Sequence, residues 1–149
     1  MVLRDEALVQ ILLVEDSPGD VRLTLETFGE ADPAVRLHVA TDGMEAIAFL
    51  RREGTHANAP RPDMILLDLN LPRVDGREVL AQIKNDANLK TIPTVILTTS
   101  IAESDIQKSY ELQANCYLTK PVELDRFETL VASINDFWLK RALLMPALH

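Results

Sequence analysis

The segment DMILLDLNLPRVDG, residues 63–76, indicates the class of fold. Its first half is a short apolar run, residues 64–67, that leads into Asp68. A continuous apolar run is typical of a strand that helices cover on both faces, as in a parallel sheet. Asp75 can cap a helix that follows. The segment therefore predicts a buried strand, a carboxylate where the strand ends, and a helix after a short loop.

Strands and helices alternate in the same way along the rest of the chain. Runs rich in β-forming residues are separated by segments whose apolar residues recur at helical spacing, which is the pattern of parallel βαβ units. The chain has 149 residues, 47% of them hydrophobic, which suits one core. We expect a single domain over residues 1–149, with its core at about 10–139 and a C-terminal tail at 140–149. The predicted strands are residues 10–15, 35–40, 64–68, 94–98 and 115–118.

Capping residues predict where the first four helices begin. The capping pairs are Ser17 with Pro18, Asp42 with Glu45, Asp75 with Glu78, and Ser100 with Glu103. The fifth helix is predicted from an apolar stripe that would pack on the sheet. This stripe comprises Phe127, Leu130, Val131, Ile134 and Trp138.

Apolar character continues past this stripe into the C-terminal tail. Phe137, Leu139, Leu143 and Leu144 exceed what one helical face can bury, and Pro146 stops any helix there. The tail can fold back onto its own domain, which is common for terminal segments. It can instead form part of a homodimer surface, because exposed apolar patches often mediate association. We expect the homodimer, formed through the fourth helix, the fifth strand, the fifth helix and the tail.

The charge of the chain argues against two classes of partner. The formal net charge is -8, and such a field repels nucleic-acid backbones and anionic membrane surfaces. The apolar runs are far shorter than the roughly 20 residues that span a bilayer. Asp5 and Glu6 stand where a signal peptide would be apolar. We therefore expect a cytoplasmic protein that binds neither nucleic acid nor membranes.

Polar side chains stand where the predicted strands end. Glu15 and Asp16 end the first strand, Asp68 the third and Thr98 the fourth, while Lys120 follows the fifth. Ligands of open α/β sheets bind outside the carboxyl ends of the strands, so we expect these side chains around one crevice. Three carboxylates repel one another, and one lysine can offset only one of their charges. This all-oxygen set favours a hard cation, and Mg²⁺ fits better than a dedicated Ca²⁺ cage.

Such a crevice suits the transfer of a phosphoryl group to a carboxylate. Asp68 is the expected nucleophile because it ends a central strand. Lys120 would neutralise charge on the phosphoryl oxygens, and the hydroxyl of Thr98 would hydrogen-bond one of them.

Four motifs in this order resemble the receiver domains of two-component response regulators, the family of the bacterial chemotaxis regulator. They are LLVEDSP at residues 12–18, DMILLDLNLPRVDG at 63–76, VILTTS at 95–100 and CYLTKP at 116–121. The resemblance covers about residues 10–139. It implies a doubly wound, flavodoxin-like α/β fold: a five-stranded parallel sheet in the order 2-1-3-4-5, with five helices and an extended C-terminal helix.

The resemblance also implies roles for individual residues. Asp68 matches the phosphoacceptor, and Tyr117 matches an aromatic residue that moves inward when the neighbouring threonine is drawn toward phosphate. Glu15 replaces the more frequent Asp, which is expected to shift metal ligation toward water. Thr99 is larger than the usual Ala or Gly, which is expected to narrow access and alter the phosphoryl lifetime. The implied metal ligands are Glu15, Asp16, Asp68 and the carbonyl of Asn70, and the implied phosphoryl contacts are Thr98 and Lys120.

The implied function is a signalling switch and not an enzyme that turns over external substrates. The phosphodonor would be a sensor histidine kinase, and the NCYLTKP region and the tail are most similar to stand-alone regulators paired with bacterial and cyanobacterial phytochromes. A receiver fold that serves as an adaptor without phosphorylation is the main alternative. A flavodoxin or an aspartyl phosphatase has less support. No Ser/Thr/Gly-rich phosphate loop follows the first strand, and Asn70 stands where the phosphatase needs a second acid.

Overall fold

Five parallel strands form one sheet in the order β2-β1-β3-β4-β5. The computed structural model describes residues 8–29 and 34–141, and within them five α-helices accompany the strands. The strands are β1 Leu8–Val14, β2 Ala34–Ala40, β3 Met64–Leu67, β4 Thr94–Thr98 and β5 Cys116–Thr119. The helices are α1 Pro18–Gly29, α2 Gly43–Arg51, α3 Gly76–Asn85, α4 Glu103–Glu111 and α5 Leu124–Ile134. This architecture confirms the predicted fold class and strand order.

The central strands are buried on both faces, which explains their continuous apolar sequence. Alternate residues of β3 belong to different apolar clusters, because successive side chains of a strand point to opposite faces. Ile65 and Leu67 pack with residues of α2 and α3, whereas Met64 and Leu66 pack with residues of α1 and α5. The sheet therefore lies between two helical layers, and β3 ends at Leu67 in the buried middle of the molecule.

The starts of the first three helices are confirmed. Asp42 caps α2 by accepting from the Glu45 amide at 2.8 Å, and Asp75 caps α3 by accepting from the Arg77 amide at 3.0 Å. At α1, the hydroxyl of Ser17 accepts from the Asp20 amide at a long 3.4 Å.

The predicted start of the fourth helix is wrong. α4 begins at Glu103 after Ala102, which offers no side-chain cap. The Ser100 hydroxyl accepts from the Ala102 amide at 3.3 Å and donates to Asp105 at 2.6 Å, so it binds the loop before α4 and the first turn of α4 without being the residue that precedes the helix.

The apolar stripe of α5 packs on the sheet as predicted. Its central members are buried, and Leu130 and Trp138 are partly buried against the same cluster. The chain continues without a break into a π-helical segment, Asn135–Arg141. Leu139 also packs on this cluster, whereas the Phe137 side chain is 56% exposed. The tail residues Ala142, Leu143, Leu144 and Pro146 lie outside the described residues.

None of the helices found within residues 8–29 and 34–141 has both the length and the apolar character that a membrane crossing requires.

The close approach of α3 to β3 requires glycine at position 76. A Cβ atom on Gly76 would lie 2.2 Å from the carbonyl oxygen of Asp68 and 2.5 Å from the Cα of Leu69. Both neighbours are backbone atoms and cannot rotate away. We predict that Gly76→Ala lowers the free energy of unfolding by about 3 kcal/mol or more, because overpacking a rigid site is destabilising.

Urea denaturation checks this prediction, and Gly19→Ala is the matched control. A Cβ on Gly19, in the first turn of α1, has nothing within 4 Å. That variant is expected to keep or slightly raise stability, since alanine restricts the unfolded chain more than glycine does. Equal stability of the two variants would show that the α3 approach is not tight.

Candidate functional site

The carboxyl ends of four strands meet at one edge of the sheet, and backbone hydrogen bonds extend the strand pairing beyond them. The Asp68 amide donates to the Val14 carbonyl at 3.0 Å, and the Lys120 amide donates to the Thr98 carbonyl at 2.7 Å. Asp68 therefore lies beside the end of β1, and Lys120 beside the end of β4. The parallel topology thereby brings together residues that are far apart in the sequence.

Lys120 is the centre of the site. Its side chain is only 5% exposed, and its Nζ contacts the carboxylates of Glu15, Asp20 (3.0 Å) and Asp68 (2.9 Å). Burying charges is costly unless they are paired, and Lys120 pairs the two most buried of these acids. One ammonium group faces three carboxylates, so the site retains excess negative charge.

Three carboxylates of the site are close enough to share a cation. Glu15, Asp16 and Asp68 each offer an oxygen, and these oxygens lie within 4.8 Å of one another. Glu15 and Asp68 are buried, whereas Asp16 is exposed and opens the group to solvent. A cluster of hard oxygen donors fits a divalent cation of the Mg²⁺ type. Asn70 lies next to this group, because its amide donates to Asp68 Oδ1 at 3.1 Å.

Burial and neighbouring charges shift the pKa values of Glu15 and Lys120. Burial raises the pKa of Glu15 to about 7, with Lys120 opposing the rise and Asp68 adding to it. Burial alone would lower the pKa of Lys120, but hydrogen bonds to Glu15 and Asp68 outweigh burial and raise it. Lys120 therefore stays charged, and a carboxylate as deeply buried as Glu15 is stabilised by any further positive charge in the pocket.

Thr98 and Tyr117 both meet the loop between β4 and α4. Thr98 is fully buried, and its hydroxyl accepts from the Ser100 amide at 3.5 Å. Tyr117 is partly buried, and its hydroxyl donates to the Ser100 carbonyl at 3.0 Å. Thr98 lies at the strand end beside Lys120, whereas the Tyr117 hydroxyl is bound to this loop.

Sequence reasoning missed three charged residues near the site. Asp20 contacts Lys120, and its signal was its position in the first turn of a helix that follows Glu15 and Asp16 directly. Arg77 of α3 and Asp105 of α4 form a two-pronged ion pair, with both N–O distances at 2.8 Å. No local spacing reveals that pair, because its members belong to different helices.

A doubly wound parallel sheet with a cluster of acids around a buried lysine at its carboxyl edge defines the class of protein as an α/β domain. The family profile for the response regulator receiver domain matches residues 11–132. The chain therefore belongs to the response regulator receiver domain family.

Individual relatives are similar over nearly the full chain. Response regulator Rcp1 of Synechocystis sp. strain PCC 6803 is 50% identical over 137 residues, which cover 92% of this chain and 93% of Rcp1. The solved structure of the phosphorylated cyanobacterial phytochrome response regulator RcpA has 52% identity and a TM-score of 0.89, covering 91% of this chain and 97% of that one. The Mn²⁺-bound form of Rcp1 has a TM-score of 0.90 at 50% identity, covering 93% and 99%.

Family membership confirms the predicted class of function. The chain is a receiver of two-component signalling, and receivers are phosphorylation-dependent signalling proteins, not enzymes of ordinary turnover. The phosphorylation-independent adaptor is not favoured.

Proposed function

We propose that this receiver accepts one phosphoryl group on Asp68 from a sensor histidine kinase of the phytochrome type, with Mg²⁺ held by the neighbouring acids. The observation that carries the proposal is the convergence of Glu15, Asp16, Asp68 and Lys120 at one edge of the sheet. A structural salt bridge needs only one acid for Lys120. Further acids beside that pair are costly unless the site also binds a cation.

The transfer uses an oxygen of Asp68 as nucleophile. That oxygen forms a bond to phosphorus while the P–N bond of the kinase phosphohistidine breaks. The electron pair of the broken bond stays with the imidazole nitrogen, which takes up a proton, and Asp68 becomes an acyl phosphate. Lys120 lies 2.9 Å from Asp68 Oδ2 and so can neutralise charge on the phosphoryl oxygens. The Thr98 hydroxyl would leave the Ser100 amide and donate to one of those oxygens.

The metal ligands in this proposal are the carboxylates of Glu15, Asp16 and Asp68 and the carbonyl of Asn70. When bound, a divalent cation supplies positive charge next to the transferring group. The exposure of Asp16 gives a cation a route from solvent, and one oxygen of Glu15 is also held by Lys120.

The phosphorylated state is proposed to signal by a population shift. The phosphoryl group makes new contacts with Thr98 and Lys120 that the resting state lacks, and only such differential contacts can move an equilibrium between two conformations. The loop at Ser100 then rearranges, and Tyr117 changes with it because its hydroxyl is bound to that loop. The altered face would comprise α4, β5 and α5.

Phosphotransfer from a panel of radiolabelled histidine kinases tests the choice of donor. The panel contains bacterial and cyanobacterial phytochromes and unrelated sensor kinases. We expect transfer to this chain to be faster from a phytochrome kinase by on the order of tenfold or more, which corresponds to about 1.4 kcal/mol in the barrier. The support for this choice is that RcpA, at 52% identity, is a phytochrome response regulator. Equal rates of phosphotransfer from all kinases would contradict only the proposal that the donor is a phytochrome-type kinase. They would leave the phosphorylation of Asp68 in place.

The chain is further proposed to form a homodimer through α4, β5, α5 and the residues that follow. Large apolar side chains are exposed in and around this region, and a second copy of the chain would cover them. They are Ile101, Tyr110, Val122, Leu124 and Phe137. Sedimentation velocity tests this part, and a purely monomeric protein at high concentration, with and without phosphorylation, would contradict it.

A further inference from the structure

The ion pair between Arg77 and Asp105 has the geometry of a fixed connection between α3 and α4. Nε and Nη2 of Arg77 donate to the two carboxylate oxygens of Asp105, each at 2.8 Å. The Asp105 side chain is 17% exposed, and Arg77 together with Ser100 lowers its pKa to about 2. A guanidinium that binds a carboxylate through two parallel hydrogen bonds fixes direction as well as distance.

On the α3 side, Arg77 is hydrogen-bonded to the backbone next to Asp68. Arg77 Nη1 donates to the carbonyl of Leu69 at 3.3 Å, and Leu69 is the residue that follows Asp68. The same carbonyl accepts from the Gly76 amide at 2.9 Å, and the Leu69 side chain is fully buried. This peptide is therefore hydrogen-bonded to the guanidinium, whose Nη1 also donates to Asp75 at 3.0 Å.

On the α4 side, Asp105 is hydrogen-bonded to Ser100, in the loop between β4 and α4 that also binds Tyr117. Asp105 accepts from the hydroxyl of Ser100 at 2.6 Å. The same hydroxyl accepts from the Ala102 amide at 3.3 Å, while the Ser100 carbonyl accepts from Tyr117. Ser100 is thus bound through its side chain to Asp105 and through its backbone to Tyr117.

We propose that Arg77 is a positioning residue that couples the peptide beside Asp68 to Ser100, and thereby fixes where the Tyr117 hydroxyl rests. This coupling between the Asp68 region and Tyr117 runs through α3 and α4. It is separate from the coupling through Thr98. The inference rests on the proposed function for the role of Asp68, but the position of Tyr117 can be measured without phosphorylation. An exposed ion pair that only fastened two helices would contribute little and would leave Tyr117 in place.

Fluorine NMR of the full chain labelled with 3-fluorotyrosine tests the proposal. The sequence has two tyrosines, so Tyr117→Phe assigns both resonances. The measurement is made without phosphodonor or metal. We expect Arg77→Gln to shift the Tyr117 resonance and to raise the population that leaves the Ser100 carbonyl by about fivefold or more, the lower end of usual coupling between sites.

The Ser100→Ala variant tests whether the Arg77–Asp105 pair positions Tyr117 or only joins α3 to α4. It keeps the Arg77–Asp105 pair and the carbonyl that Tyr117 uses, and it removes the hydroxyl that binds both Asp105 and the Ala102 amide. The Tyr117 resonance is expected to shift in this variant as well. Arg126→Gln is the matched control, since it breaks an exposed pair with Glu123 in which the side chains are 73% and 63% exposed.

A Tyr117 resonance that stays at its wild-type position in folded Arg77→Gln, or in folded Ser100→Ala, would overturn the proposal. A shift of equal size in Arg126→Gln would overturn it too. Failure of the wild-type chain to accept a phosphoryl group is a different result, and it would count against the proposed function without moving these resonances.

Discussion

Lys120→Met is expected to lower the free energy of unfolding by about 3–5 kcal/mol in metal-free buffer, the usual cost of leaving buried charge without its partner. Methionine keeps the length of the side chain and removes its charge. Glu15 and Asp68 are both buried and would then face each other with no cation between them. Burial already raises the pKa of Glu15 to about 7 with Lys120 present, and the Ser17 amide, which donates to Glu15 at 3.1 Å, is the neutral partner that would remain.

Urea denaturation of wild type and variant, each with EDTA and with Mg²⁺, measures this effect. Mg²⁺ is expected to restore part of the lost stability, because it supplies positive charge to the same acids. Lys108→Met is the control, since Lys108 is an exposed lysine on α4. It should change stability by no more than about 0.5 kcal/mol, as is usual for surface substitutions. A Lys120→Met variant as stable as this control would show that the acids do not depend on Lys120.

Asp68→Asn is expected to abolish phosphorylation completely. The amide cannot attack phosphorus as a carboxylate does, so the effect is a loss of chemistry and not a weakening of binding. The substitution removes one of the two buried charges beside Lys120, while Glu15 and Asp20 remain as partners, so the chain is expected to stay folded. Asp86→Asn is the matched control, because Asp86 follows α3 at the opposite edge of the sheet and caps the next turn.

Much of the site could be predicted because parallel topology leaves little freedom. Once residues 64–67 are assigned to a buried strand, Asp68 must lie at the carboxyl edge of the sheet. The same reasoning places Glu15 and Lys120 there, and the structure shows them in contact although 105 residues separate them. The apolar runs in the sequence show where each strand ends. Because all the strands are parallel, the residues at these ends must lie at the same edge of the sheet.

Contacts that depend on how helices pack could not be predicted in this way. Arg77 and Asp105 are 28 residues apart, and each alone reads as a charged residue near the start of a helix. Their pairing depends on the angle and distance between α3 and α4, which no sequence period encodes. The wrong start of α4 has a different cause: Ser100 has the residue type of a helix cap and its hydroxyl accepts from the Ala102 amide, but the helix begins only at Glu103.

The central claim is that the acidic pocket transfers a phosphoryl group to Asp68 with the help of a divalent cation. Intact-mass spectrometry tests it, after incubation of wild type, Asp68→Asn and Asp86→Asn with a small-molecule phosphodonor in Mg²⁺ or in EDTA. Wild type and Asp86→Asn should gain the mass of one phosphoryl group in Mg²⁺ and none in EDTA, and Asp68→Asn should gain none in either. A wild-type chain that stays unmodified with a donor proven on another receiver, or an Asp68→Asn chain that is modified as fully as wild type, would contradict it.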